Sequence, residues 1–338
     1  MSFFSSLKLS QKSYSSRFGW QDCAVQAGVL YVRNLAGYPF ASGASNIWRE
    51  EVVCRFRKVF EKHLTKKGFS WLWLDKESEK ACKRWRKSLF VMPALHDTSR
   101  NKVLVFKGDQ GILVNYWDHF RMFAETEDLV HLHTCFLKVD RLESLFGKHF
   151  EFAFDEKIGF LTAFPEQAGT GLQVVVRVHL PAISFLYGVD KLYQWLKEKD
   201  GVLVRGFGGG GKILAHVFEI SNYFTLGLSE GELVKMVKEF SGSLCRWERG
   251  VRASFLSDTR RKKKLLDRIW FLHSLCSEDD KPDFFLEYAS LFFLAQQLGI
   301  MVEAEGFNLL KTDAVCRKEF LPILSFLRSK RGRIIQYV

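Results

Sequence analysis

The run IGFLTAFPEQAGTGLQVVVRVHLP, residues 158–181, decides how the chain is read. Its second half, LQVVVRVHL, is a dense series of β-branched residues, the composition of a strand. Ahead of it stands Gly169-Thr170-Gly171, two glycines that let the backbone turn tightly and present bare amides at a sheet edge.

Similar β-rich runs surround it from Asn101 onward: NKVLVFKG, GILVNYW, LVHLHTCFLKV and IGFLTAF, parted by glycine and charged turns. They predict one antiparallel sheet with helices against it, among them DRLESLFGKHF and ISFLYGVDKLYQWLKEK. Upstream, residues 46–67 place Trp48, Val52, Val53, Phe56, Val59, Phe60 and Leu64 at helical spacing. Downstream, Ser229 and Glu232 have the spacing of a capping box, and helices are predicted over 229–254, 258–277, 281–298 and 306–328. The expected fold is α+β in three parts: a helical N-terminal region over 1–95, an antiparallel domain flanked by helices over 96–255, and a C-terminal helical unit over 256–338. FFLEYASLFFLAQQLGI (284–300) carries more apolar surface than one amphipathic stripe buries, so self-association or docking through 258–330 is expected.

The chain has 338 residues, 47% of them hydrophobic, enough to fill a sizeable core and too many for a disordered chain. No apolar stretch approaches the roughly 20 residues of a membrane span, and MSFFSSLKLSQKSYSS lacks the features of a secretory signal. A cytoplasmic protein without membrane partners is expected. Seven scattered cysteines without a CxxC pair argue against a disulfide framework or a zinc ribbon. A net charge of +12 favours acidic partners, but the basic clusters (55–67, 80–87, 260–264) fall on helical segments and read as solvated faces. Nucleic acid is therefore not an expected partner; a basic nucleic-acid-binding scaffold is the outside alternative, and salt-dependent DNA binding would identify it.

GFGGGGK (206–212) looks like a phosphate loop and fails as one, because Ile213 stands where a Walker loop needs serine or threonine. Its bare amides, preceded by Arg205, still suit the neighbourhood of an anion. His131 and His133 alternate at strand spacing and would share a sheet face, but no third metal ligand is near and no metal is expected. VNYWDHFR (114–121) holds an amide, a carboxylate, an imidazole and a guanidinium around Tyr116 and Trp117. Asp118 and His119, being adjacent, project apart and do not form an acid–base dyad.

Together with VRNLAGYPF (32–40), VRGFGGGG (204–211) and FEISNYFTLGLSE (218–230), these segments resemble the ATP:guanidino phosphotransferases in order and spacing, most of all the bacterial protein-arginine kinases. The resemblance covers roughly residues 25–330. It implies a helical N-terminal part, an antiparallel sheet flanked by helices, ATP with magnesium held by arginines rather than a P-loop, and two glutamates that hold and deprotonate a guanidinium. Such chemistry is mainly positioning and charge neutralisation, and a guanidinium with a pKa above about 12 needs a carboxylate to become a nucleophile.

This sequence departs from the family at those positions. The resemblance implies Val-Asn-Glu-Glu-Asp-His-Leu-Arg where VNYWDHFR stands, so Tyr116 and Trp117 replace both glutamates and no catalytic residue is intact. Two phosphate-clamping arginines fall on Gly28 and Leu30, a histidine on Ser88, a cysteine on Phe164, an arginine on Gln173 and a loop glutamate on Gly210. The remnant phosphate site would comprise Arg121, Arg205, Gly206, Gly208, Gly209, Gln173 and Arg177. Arg177 shares a strand face with Gln173, but four residues along a strand is about 13 Å, too far to replace the lost guanidinium. Each lost charge-assisted contact costs about 1.5–3 kcal/mol. The reading is a catalytically impaired family member that acts as a binding or regulatory partner, needing ATP and magnesium only if activity remains. The resemblance adds a homodimer, and arginine-containing or phosphoarginine proteins, an activator or a protease adaptor as partners. The alternative is an active kinase in which Glu166, Asp155 or Glu156 serves as base.

Overall fold

AVQAGVLYVR forms strand β1 (Ala24–Arg33), which is buried along almost its whole length. The computed structural model describes residues 23–76, 79–199, 201–207, 212–278 and 282–300. After β1 come α1 (Asn46–His63), β2 (Ser70–Trp73), α2 (Glu79–Cys82), α3 (Met92–Leu95) and the strands β3 (Val103–Lys107), β4 (Gln110–Tyr116) and β5 (Asp118–Thr126). Then follow α4 (Leu132–Gly147), a small hairpin of β6 (Phe154–Asp155) and β7 (Gly159–Phe160), and β8 (Leu172–His179). The chain continues through α5 (Pro181–Tyr187), α6 (Val189–Leu196), β9 (Glu198–Lys199), β10 (Val202–Gly206), β11 (Val217–Asn222), α7 (Glu230–Ser257), α8 (Thr259–Glu278) and α9 (Pro282–Gln297).

Nine strands form one sheet in the order β2-β3-β4-β5-β1-β8-β11-β10-β9, and neighbouring strands run antiparallel. The antiparallel sheet flanked by helices is therefore the expected one. Its N-terminal part differs: β1 and β2 fall within residues 1–95, and β1 lies mid-sheet between β5 and β8. A strand buried on both faces reads as a nearly continuous apolar run, without the alternation that marks a half-exposed strand.

LVHLHTC is a second correction, being a bend and turn (129–131) that lead into the first turn of α4 and not a strand. Leu132, Cys135, Val139, Leu142 and Phe146 make a 3.6-residue apolar stripe that buries against the sheet, and this tertiary burial outweighs the β-leaning composition. Near that helix start His131 is paired with Asp128 at 2.8 Å, and the two histidines share no sheet face.

The sheet has two unlike faces. One presents Ala27, Val29, Tyr31, Met122, Ala124, Val174 and Val176 to α1, α4 and α7 in a single large core. The other carries Leu30, Val32, Phe123 and Val175 under a cover made by Trp85, Leu89, Phe90, Val91 and Ala94. At the C-terminal side, the capping box at the head of α7 is present, with Ser229 Oγ accepting from Glu232 N at 3.4 Å and Glu232 Oε2 accepting from Ser229 N at 2.8 Å. The buried Glu248 carboxylate of α7 accepts the amides of Ala182 and Ile183, each at 3.0 Å, and Arg252 Nε at 2.7 Å, which pins α7 to the start of α5. Ser290 Oγ of α9 lies 2.7 Å from His179 Nε2 and 2.7 Å from His216 Nδ1, tying α9 to the ends of β8 and β11.

The apolar surface of α9 is covered by the chain itself: Leu286, Leu291, Leu294 and Ala295 are fully buried. The apolar exposure in this part lies at Leu256, Trp270 and Phe271 instead. The predicted helix over 306–328 lies outside the described residues.

Candidate functional site

Gly28, Leu30, Arg121, Gln173, Arg177, Glu219 and Arg205 all project from the second face of the sheet, as the cross-strand register requires. Gly28 pairs with Glu125 and Val175, Leu30 with Phe123 and Gln173, and Arg177 with Gln26 and Glu219, while Glu219 pairs with Arg205. Of the residues that the sequence singles out for phosphate binding, Arg121, Gln173, Arg177 and Arg205 thus share a sheet face, and Arg121 and Gln173 line one cleft. Gly206 ends β10, and Gly208 and Gly209 lie outside the described residues, as does Gly210.

The stretch after β4 is a tight reversal in which Tyr116 pairs with Asp118 and Trp117 sits at φ 63°. Left-handed backbone at a tryptophan is strained, and neighbouring bonds hold it: Trp117 O accepts from Ser42 N at 3.0 Å. Asn115, itself at φ 59°, donates from Nδ2 to the Arg49 and Asn101 carbonyls at 2.8 and 3.0 Å. Arg49 of α1 answers from Nη1 to the Asn115 carbonyl at 3.3 Å. Nothing in the sequence pattern marks Arg49, because it joins segments far apart in the chain.

Asp118 is a structural hub rather than an acid or base. Its Oδ1 accepts from Asn34 Nδ2 and from Ala163 N, both at 2.7 Å, and its Oδ2 accepts from Arg121 Nη1 at 3.2 Å. His119 accepts from Leu35 N on Nδ1 at 3.1 Å and receives no solvent, and burial lowers its pKa to about 4, so the ring is neutral. The two adjacent side chains serve separate contacts, in accord with the absence of a dyad between them.

Tyr116 and Trp117 diverge. Tyr116 is 7% exposed within the second core, and burial raises its hydroxyl pKa; Trp117 is 41% exposed. Trp117 nevertheless leans on Phe164, with ring centroids 4.3 Å apart, and on Tyr116 at 5.6 Å. Phe90, Tyr116, Trp117, Phe164, Arg121 and Gln173 help to line a cleft of about 190 Å³. The carboxylate on its wall is Glu219, which the sequence reading missed. Glu166 and Asp155 are exposed and do not line it, and Asp155 caps the amides of Lys157 and Ile158 at 2.8 and 3.0 Å.

Most guanidinium groups near the cleft already have carboxylate partners. Arg121 pairs with Asp118 at 3.2 Å and Arg177 with Glu219 at 2.9 Å. Arg177 also donates to Gln26 Oε1 at 3.3 Å and lies 4.4 Å from the Phe207 ring centre. Arg177 thus takes part in a cross-strand row of side chains. Gln26 continues that row to Glu125 Oε2 at 3.1 Å, and Glu125 accepts from Ser88 Oγ and, at 3.3 Å, from Phe90 N. Burial raises the pKa of Glu125. Arg33 lies on the opposite face, bound to Glu143 at 3.0 Å, and Arg205 is exposed. A Cβ at Gly28 would stand 2.7 Å from Phe90 and 3.0 Å from Leu89, so the space above it is filled. On the second face, then, the Phe90 ring fills the space over Gly28, and Arg121 and Arg177 are already paired with carboxylates. Among the described residues there is no cluster of three or more metal-ligating side chains.

An antiparallel sheet of this topology, with helices on one face and a cleft at the β4–β5 reversal on the other, defines the guanidino-kinase class of fold. The family model for the ATP:guanido phosphotransferase C-terminal catalytic domain matches residues 51–251, and the chain belongs to that family, whose members are ATP-dependent phosphotransferases. Among curated relatives, a protein-arginine kinase of Clostridium acetobutylicum is 28% identical over 221 residues, covering 64% of each chain. One of Brevibacillus brevis is 28% identical over 254 residues, 74% of this chain and 70% of the relative. The match thus spans slightly less than two-thirds of the Clostridium protein. In structure, the chain superposes on lombricine kinase with a TM-score of 0.57 at 19% identity, over 72% of this chain and 70% of that one. It also superposes on the duplicated taurocyamine kinase of Schistosoma mansoni bound to transition-state-analogue components, with a TM-score of 0.57 at 19% identity, over 69% of this chain and 34% of that one. No described helix is long and apolar enough to cross a membrane.

Proposed function

We propose that this protein is a protein-arginine-kinase-like phosphotransferase homologue whose phosphoryl-transfer site has become a non-catalytic recognition cleft, and that it acts as a cytoplasmic regulatory or binding partner. The observation that carries this reading is the reversal at 116–117, where a buried Tyr116 and a left-handed Trp117 stand in place of a proton acceptor. Neither side chain takes a proton from a guanidinium near neutral pH. The closed ion pairs Arg121–Asp118 and Arg177–Glu219, and the Phe90 ring over Gly28, support the same reading from the nucleotide side. A donor without its clamps and an acceptor without its base lose both halves of the positioning that phosphoryl transfer depends on.

Its partners, on this reading, are arginine-containing or phosphoarginine proteins, a family activator or a protease adaptor. A homodimer through the C-terminal helices draws support from the exposed Leu256, Trp270 and Phe271. The test is mass spectrometry for phosphoarginine on an arginine-rich protein acceptor, with ATP and magnesium. No product is expected. Product that disappears in Arg121→Ala and Arg205→Ala variants would establish the rival, an active kinase with a rearranged site. Light scattering at micromolar concentration checks the dimer.

A further inference from the structure

The cleft beneath Trp117 is small, aromatic-walled and lined by a guanidinium with donors to spare. Arg121 is more than nine-tenths buried, at 8% exposure, yet its one hydrogen bond runs from Nη1 to Asp118, and its Nε has no acceptor among the described residues. A guanidinium carries five N–H donors, and leaving them unmet in a buried place is costly. Beside it on the cleft wall, Gln173 is engaged through Oε1 by Gln167 Nε2 at 3.4 Å, and its own amide N–H groups have no acceptor among the described residues. Acceptors on the wall are Glu219, held by Arg177, and the Gln167 Oε1, which has no donor among the described residues.

We propose that this cleft binds a small, uncharged planar ring carrying a carboxamide or lactam edge. The inference rests on the non-catalytic reading of the cleft and gives it a ligand class. Size points to one ring: a cavity of roughly 150 Å³ admits benzene, and about 190 Å³ adds room for one polar substituent. Trp117 and Phe164 supply ring faces for stacking. The charges point to a neutral ligand, because Arg121 is balanced by Asp118 and Glu219 by Arg177. A carboxylate or a phosphate would meet the Glu219 wall with no unpaired lining cation to offset the repulsion. A carboxamide satisfies both sides, its oxygen accepting from Arg121 or Gln173 and its N–H donating toward Glu219.

Nicotinamide and nicotinate form the test pair, alike in shape and different in charge. Ligand-observed NMR and tryptophan fluorescence on the full chain are expected to show nicotinamide binding with a dissociation constant on the order of 1 mM, as befits so small a ligand. Nicotinate is expected to bind at least about tenfold more weakly. Trp117→Ala, at a half-exposed position, and Gln173→Leu should each weaken nicotinamide at least about tenfold, whereas Trp270→Ala on α8 should leave it unchanged. Absence of nicotinamide binding at roughly 10 mM overturns the inference. So does equal binding of nicotinate, or affinity that neither cleft variant alters. The phosphoarginine assay run in parallel separates the two readings: no product and no nicotinamide binding defeats the ligand alone, and robust product defeats the non-catalytic reading and the ligand with it.

Discussion

The two faces of the central strands solve burial in opposite ways. Against α4 and α7, β1, β5 and β8 offer Val29, Met122, Val174 and Val176, which lose water and need no partner. On the cleft side the same strands offer Gln26, Arg121, Glu125 and Arg177, each held by a particular neighbour, although Arg121 keeps an unmet Nε–H among the described residues. The first face tolerates changes of shape within limits. The second is intolerant of losing any one partner, because the group left behind is buried and polar.

The sharpest way to break that contrast is Asp118→Ala. It strands Arg121 and the Ala163 amide, takes one of two acceptors from Asn34 Nδ2, and should cost about 3–5 kcal/mol in urea unfolding, against about 2 kcal/mol for Val176→Ala on the helix side. A cleft variant no worse than the valine variant would dissolve the distinction.

Acid should act next. His119, and His216 at the far end of β11, are held neutral by burial at pKa values of about 4 against an ordinary 6.5. A lowered folded pKa means that their contribution is complete above pH 6.5 and is lost as pH falls toward about 4, roughly 3 kcal/mol per ring. Glu125 runs the other way. Its raised folded pKa makes its contribution full below 4.5 and lost as pH rises through the higher folded value. Thermal melts from pH 7 to 4 on the wild type and on His216→Gln check the first sign; a Glu125→Gln variant that gains relative stability toward neutral pH checks the second.

Tyr116→Glu and Trp117→Glu sharpen the contrast within a single turn. The buried position should lose about 2–3 kcal/mol, and the half-exposed one less than about 1 kcal/mol. Equal losses in denaturant titrations would mean that both rings close the cleft. Between those two falls Gly28→Val, expected to cost about 1–2 kcal/mol from crowding Phe90 and Leu89. If that variant is as stable as the wild type, the cover over the second face is looser than its contacts imply.

Much of the cleft was legible in the sequence because strand period two carries face information. Once LQVVVRVHL is read as a strand, Gln173 and Arg177 fall on one side by spacing alone, whereas Arg121 joins them through the register of β5 and β8 on β1. The capping box at Ser229 was legible for a similar reason, being a contact between residues three apart. Glu219 and Glu125 were not, since their importance lies in what they pair with across strands.

The sequence by itself determined the antiparallel sheet, the order of its motifs, the family, and the replacement of two carboxylates by Tyr116 and Trp117, all properties of residue type and local spacing. Only the tertiary structure decided that β1 lies mid-sheet, that LVHLHTC leads into a helix, that α9 is covered by its own chain, and that Tyr116 is buried while Trp117 faces solvent. It also decided that Arg121 and Arg177 are neutralised by Asp118 and Glu219. The reason is common to all of these: burial and ion pairing depend on which distant segments meet, and the free energy of a buried charge is set by the partner brought to it, not by the residue that carries it.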